Sequence, residues 1–239
     1  MSGSIDIVIP WPSNCDYPLW RQFITEEGWR FGRVIVVFTQ AGTGYDYRPD
    51  VTKVLGMIGP NILVTDSPKV MPDEDWRDVA TRYGLKFVIS EWVWFTEQDF
   101  LPKLGFFDHI LEYYNMATDV IAAYQGDRMH PCSIFIAKAT LDKMRLDFGI
   151  KPNVADHFSK IQDQIESLKL IVGKIDEHLY YHFNGLSHNF RLVSEGQLPN
   201  YQPKEFLEYL KTSISAQVPQ IAEYQNTAKK GILLMQSAQ

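Results

Sequence analysis

Arg33-Val34-Ile35-Val36-Val37-Phe38 is a near-continuous apolar run with β-branched side chains at 34 through 37. A strand that faces water on one side alternates apolar and polar residues. A strand buried on both faces does not, and that situation belongs to a parallel sheet covered by helices. Toward the N-terminus, Tyr17 to Glu27 carries Leu19, Phe23 and Ile24 at helical spacing and stops at Gly28. Before it, Ile5-Asp6-Ile7-Val8-Ile9 is a short strand closed by Pro10. Toward the C-terminus, a Gly/Tyr-rich loop, Ala41 to Tyr47, leads to a short strand, Asn61 to Thr65. A helix then opens at Pro72 with Asp73, Glu74 and Asp75, acids that suit the positive end of the helix dipole, and Gly84 closes it. Lys86 to Phe95 is the next strand. The order β-α-β-β-α-β predicts an α/β fold, a mostly parallel sheet with flanking helices.

The second half changes character. Ser133 to Ala137 reads as one more strand, Asp156 to Tyr181 as a long helix, and Pro203 to Leu210 and Ile221 to Met235 as further helices. A boundary near Lys151-Pro152-Asn153 divides an α/β core, residues 1–150, from a helical C-terminal region, residues 151–239, packed against it. The chain of 239 residues is 45% hydrophobic and 22% charged, the composition of a folded protein rather than a disordered one. Its net charge of −6 argues against a generally basic, nucleic-acid-coating surface. Cys15 and Cys132 match no zinc-ligand spacing and no disulfide framework, so reduced thiols are expected. The N-terminal residues lack the basic start of a secretory leader, and no stretch of about 18 apolar residues occurs. The expectation is a cytoplasmic protein without a membrane span.

In open sheets of this kind ligands bind outside the carboxyl ends of the strands. The loops after Ile9, Phe38, Thr65 and Phe95 should therefore converge on one crevice, with Glu97-Gln98-Asp99 on its rim. Carboxylates at i and i+2 can share one hard cation, Mg²⁺ or Mn²⁺, and leave coordination positions for phosphate oxygens. The competing reading is a solvated turn in which Glu97 and Asp99 cap a helix beginning near Leu101-Pro102.

Ile5 to Pro10 (IDIVIP), the helix after it, Val34 to Phe38 (VIVVF), and Trp76 to Leu85 (WRDVATRYGL) leading into Trp92 to Phe100 (WVWFTEQDF) together resemble the nucleotide-binding half of GT-A fold glycosyltransferases, especially the family 2-like branch. The resemblance implies that residues 1–150 form a GT-A-like core binding a nucleotide sugar and that residues 151–239 complete the active site. Glu97-Gln98-Asp99 stands where those enzymes carry the metal-binding DxD motif: Asp99 matches its last acid, Glu97 replaces its first with a longer side chain, and Gln98 is placed to contact ribose. Gly185 to Arg191 is similar to the late loop that supplies a histidine as third metal ligand. This assigns His188, with His182 the rival in the same stretch, and gives Arg191 to the diphosphate. Arg77 matches the arginine kept near the diphosphate; its alternative is an ion pair with Asp73 or Glu74.

The resemblance makes Pro10 the strand end that opens a nucleotide-contacting loop; Trp11, Asn14 and Asp16 follow it as candidates to frame the nucleobase, although Pro10-Trp11-Pro12 also reads as a stiff hydrophobic corner. Asp66 either bonds a base edge or is an ordinary turn acid. Phe38-Thr39-Gln40 lacks the acid that many of these enzymes carry after the second strand. His130 to Leu141 is similar to the segment that shapes the acceptor side. For an inverting transfer, Asp156 is assigned as the general base, against its reading as a helix N-cap, and Asp127 is the second candidate or a ligand of acceptor hydroxyls. The implied function is a metal-dependent glycosyltransferase that moves a sugar from a nucleoside-diphosphate sugar, UDP-linked, to a hydroxyl acceptor. A glycan, a small molecule and a modified nucleic acid all remain open as acceptors; Lys138, Lys143, Arg145 and Lys151 form one moderately basic stretch. Two alternatives keep the fold: a noncatalytic nucleotide- or sugar-binding module, and a sugar nucleotidyltransferase. The second of these usually carries a Gly- and Lys-bearing phosphate loop after its first strand, where this chain has PWPSNCDYP.

Overall fold

The apolar run of the opening stretch forms β2 (Phe31–Phe38), and its residues divide by parity between the two sides of the sheet. Val34, Val36 and Phe38 enter one core, Ile35 and Val37 the other. The computed structural model describes residues 5–11, 19–20, 23, 31–39, 61–71, 73–97, 99–103, 105–114, 116–149, 158–183, 186–212 and 221–238. The elements in order are β1 (Ile5–Trp11), β2, β3 (Ile62–Asp66), α1 (Trp76–Leu85), β4 (Trp92–Thr96), β5 (Phe100–Pro102), α2 (Phe106–Tyr114), β6 (Val120–Gln125) and β7 (Arg128–Ala137). Then come α3 (Lys138–Leu141), α4 (Ser159–Ser167), β8 (Val172–Lys174), β9 (Tyr180–His182), α5 (Leu186–Ser194), α6 (Pro203–Thr212) and α7 (Ile221–Ser237).

Among the described residues seven strands form one sheet in the order β3-β2-β1-β4-β7-β6-β8, and β5 and β9 form a separate pair. Pairings β1–β2, β1–β4, β2–β3 and β6–β8 are parallel; β7 runs antiparallel to β4 and β6. The fold is α/β with a mainly parallel sheet, flanking helices and a C-terminal helix. One face is covered by α2, α6 and α7 through Phe106, Phe206, Tyr209 and Tyr224. The other is covered by α1 and α4 through Ala80, Ile161 and Ile165. Helix α1 sits close: a Cβ on Gly84 would lie 2.6 Å from Val8 Cγ1. Among the described residues no helix is long and apolar enough to cross a membrane.

The chain moves from β1 outward to β2 and β3, then returns to place β4 on the other side of β1. The β1–β4 junction is thus the topological switch point, where such sheets open a crevice. The β1–β4 ladder ends at Val8↔Phe95, while β1 runs on past Pro10 to Trp11, paired with β2 alone. Pro10, Glu97 and the first turn of α1 border the opening left between them.

Several sequence expectations need correction. The strand expected at Lys86 to Phe95 begins only at Trp92, because the buried Asp6 carboxylate captures the preceding segment: Ile89 N and Ser90 N donate to Oδ2 at 2.7 and 3.0 Å, and Ser90 Oγ donates to Oδ1 at 2.6 Å. The long helix expected from Asp156 to Tyr181 is α4 alone in its described part. Lys169 takes a left-handed conformation (φ 52°) that ends the helical path, and the chain continues into β8 and β9. The region after 151 is therefore not wholly helical, since β8 joins the main sheet; residues 150–157, which include the expected boundary, lie outside the described residues. No helix starts near Leu101-Pro102: those residues form β5, and α2 begins at Phe106, after Gly105 at φ 86°.

Candidate metal centre

Glu97 leaves the end of β4, and a turn closed by Phe100 N donating to Glu97 O (3.2 Å) carries the chain through Asp99 into β5. Short as it is, β5 fixes the site. Its antiparallel ladder with β9 sets Phe100 opposite His182 and Leu101 opposite Tyr181, and Phe183 N donates to Asp99 O at 3.3 Å. His182 is thereby brought beside the two acids. Its Nε2 lies 3.4 Å from Glu97 Oε2 and 3.6 Å from Asp99 Oδ1. One ligand atom from each of Glu97, Asp99 and His182 falls within 4.8 Å of the others. These separations are ion-pair distances, and among the described residues buried Nε2 has no hydrogen-bond partner. Two carboxylate oxygens and an imidazole nitrogen around such a point suit a divalent ion such as Mn²⁺ or Mg²⁺.

Among the described side chains, the histidine that meets the acids is His182, the alternative to His188 in the sequence. His188 lies on α5, not on a loop, and its side chain is outside the described residues. Arg77, in the first turn of α1, forms its ion pair with Glu97 (Nη1 to Oε1, 3.1 Å), not with Asp73 or Glu74. Pro10 borders the same recess as Arg77, Glu97, Thr81, Thr96 and Phe158. Trp11 is fully buried with its ring edge-on to Trp20 at 6.4 Å, which takes it into the core and away from the crevice. Asp66 is exposed at the end of β3, three strands from β4 and so roughly 14 Å away along the same edge. Asp127 is exposed at the β6–β7 turn, and Arg191 is exposed in the last turn of α5. Asn14, Asp16, Gln98 and Asp156 lie outside the described residues.

The sequence places His130 only at the start of the segment that shapes the acceptor side, not beside the metal motif. Since Ser133 of β7 pairs with Thr96, β7 overhangs the end of β4, and the His130 ring lies 4.5 Å from that of His182. Its signal was weak because the pairing of β4 with β7 cannot be read from either segment alone.

Burial by itself would lower the His182 pKa, but the Asp99 and Glu97 carboxylates outweigh it and raise the value from 6.5 to about 10. Burial would raise Glu97; nearby His182 and the Arg77 guanidinium outweigh that and hold its carboxyl below its ordinary 4.5. In the metal-free protein, His182 contributes stability that is complete below its unfolded value near 6.5 and is lost as pH rises through about 10. The stability advantage of the metal-free wild type over His182→Gln is therefore expected to shrink steadily between about pH 6.5 and 10 in urea titrations. An advantage that grows over this range contradicts the assignment.

No family model matches the sequence, and no curated protein matches it either. Solved structures do match. Glucosyl-3-phosphoglycerate synthase from Mycobacterium tuberculosis, in complex with Mn²⁺, UDP and phosphoglyceric acid, is 13% identical and superposes with a TM-score of 0.56 over 76% of this chain and 71% of that one. A mannosyltransferase from Pyrobaculum calidifontis, in complex with GDP-Man and Mn²⁺, is 11% identical with a TM-score of 0.56 over 98% of this chain and 75% of that one. 4-Diphosphocytidyl-2C-methyl-D-erythritol synthase from Anaerococcus prevotii is 11% identical, with a TM-score of 0.50 over 73% of this chain and 89% of that one. The fold of this chain is the GT-A glycosyltransferase fold.

Proposed function

We propose that this protein transfers a sugar from a nucleoside-diphosphate sugar, UDP-linked, to a hydroxyl acceptor with inversion, using Mn²⁺ or Mg²⁺ held by Glu97, Asp99 and His182. The observation that carries the reading is the convergence of two carboxylates and one imidazole at the end of β4, at the switch point of a GT-A fold. The Mn²⁺ complexes of two proteins sharing this fold, one with UDP and one with GDP-Man, support a divalent ion and a nucleotide donor. A bound divalent ion supplies charge neutralisation for the departing diphosphate.

The chain's own residues do the rest. In this reading Pro10 and Asn14 frame the base, Asp66 bonds its edge, Gln98 bonds ribose, and Arg191 pairs with diphosphate oxygens. Asp156 takes the proton from the acceptor hydroxyl as its oxygen bonds to the anomeric carbon, and the bond to the diphosphate breaks with the electron pair leaving on the diphosphate. Asp127, on the overhanging turn, is the second candidate for that role or a ligand of acceptor hydroxyls. The acceptor class is a glycan, a small molecule or a modified nucleic acid.

The fold shared with the diphosphocytidyl synthase gives one competing reading, nucleotidyl transfer. The absence of Gly and Lys from Pro10 to Pro18 argues against it. Incubation with UDP-glucose and Mn²⁺, followed by measurement of released UDP with and without mixed saccharide acceptors, tests the proposal. Release of UDP that EDTA stops supports it. Pyrophosphate formed from UTP and a sugar phosphate points instead to nucleotidyl transfer, and donor binding without turnover of any donor points to a binding module.

A further inference from the structure

Glu97 has one more rotatable bond than an aspartate, so its carboxylate reaches further, samples more positions and loses more entropy when ordered. The structure contains a device that removes this freedom. Arg77 Nη1 holds Oε1 at 3.1 Å, and the other oxygen, Oε2, faces His182 Nε2 at 3.4 Å. Arg77 is itself fixed. Asp75 caps α1 by accepting from Arg77 N at 2.9 Å, and the guanidinium carbon lies 5.0 Å from the centre of the Trp76 ring. The helix that carries them is seated on β1 and β2 through the close approach of Gly84 to Val8 and Val37. The pair is partly sheltered, with Arg77 32% and Glu97 18% exposed, so water screens it less than a surface ion pair.

We propose that Arg77 is a positioning residue for Glu97: by occupying Oε1 it turns Oε2 toward His182 and Asp99 and makes a glutamate serviceable as a metal ligand. Outer partners of this kind orient metal ligands generally, and their loss weakens metal binding by ~10–100-fold. The inference rests on the metal centre proposed above. It differs from a role for Arg77 at the donor diphosphate, because it acts before any nucleotide is present.

The test is titration of the full chain with Mn²⁺ alone, followed through the electron paramagnetic resonance signal of free Mn²⁺, for wild type, Asp99→Ala, Arg77→Met, Glu97→Asp and Arg77→Met/Glu97→Asp. Thermal unfolding of each variant is recorded alongside. Arg77→Met keeps an unbranched side chain of similar length and drops the guanidinium; it is expected to bind Mn²⁺ ~10–100-fold more weakly than wild type. In the Glu97→Asp background the shorter carboxylate no longer reaches Arg77, and the same substitution is expected to change nothing. Arg77→Lys, which keeps charge without the rigid fork, is expected to fall between wild type and Arg77→Met, and it carries the test should Arg77→Met not fold. Wild-type affinity in Arg77→Met overturns the proposal, as does an equal loss in both backgrounds. Failure of wild type to bind Mn²⁺ at all, or undiminished binding by Asp99→Ala, overturns the metal centre itself, a distinguishable result.

Discussion

Asp99→Ala is expected to weaken Mn²⁺ binding by more than ~100-fold and to abolish Mn²⁺-dependent nucleotide binding while the protein stays folded. Asp99 is 3% exposed, and its carboxylate is one of two that face His182. Removing it takes away a charged ligand and leaves the imidazole beside Glu97 alone. The loss exceeds that of an outer partner because a direct ligand is gone. His182→Ala is expected to lose Mn²⁺ to a similar degree, and His188→Ala to retain it, because among the described residues β9 supplies the imidazole that meets the acids. Calorimetric titration of the three variants decides between the histidines. Retention of wild-type affinity by His182→Ala, with loss in His188→Ala, reverses the assignment.

The largest effect on stability is expected at Asp6. Its fully buried carboxylate accepts from Arg33 N (2.7 Å), Ile89 N (2.7 Å), Ser90 N (3.0 Å) and Ser90 Oγ (2.6 Å). It ties the starts of β1 and β2 to the segment entering β4, so the register that delivers Glu97 to the crevice depends on it. Asp6→Ala leaves three backbone N–H groups and a hydroxyl without this partner, the two Ser90 donors buried and the Arg33 and Ile89 N–H groups partly so. At ~1–3 kcal/mol for each orphaned donor, partly relieved by relaxation and entering water, the expected loss is ~3–5 kcal/mol. That is a large fraction of the stability of an ordinary domain. The midpoint of urea unfolding should fall with little change in slope, and Asp6→Asn, which retains one acceptor oxygen, should lose less. A midpoint for Asp6→Ala within experimental error of wild type would show that the carboxylate does not organise this corner.

The parallel half of the sheet was legible because it rests on residues that speak for themselves. Val34 to Val37 demand burial on both faces, and the acids before Trp76 mark a helix start that Asp75 caps. What was hidden depends on pairings between distant segments. β8 and β9 are three residues each, too short to show a period, and the left-handed residue that ends α4 is a lysine, which carries no stop signal of the kind a glycine gives. The histidine beside the acids is not the sequence's first choice for the same reason: His182 acquires its place from the ladder that sets it opposite Phe100, and nothing in Tyr180-Tyr181-His182 announces a partner on β5. Trp11 erred in the other direction. β1 runs one residue past Pro10, which carries that indole into the core.

Calorimetric titration of UDP, with GDP as comparison, into the wild-type protein in Mn²⁺ and again in excess EDTA tests the metal centre most directly. A metal centre at Glu97, Asp99 and His182 predicts nucleotide binding in Mn²⁺ that disappears in EDTA. Equal binding in both, or binding in neither, contradicts it.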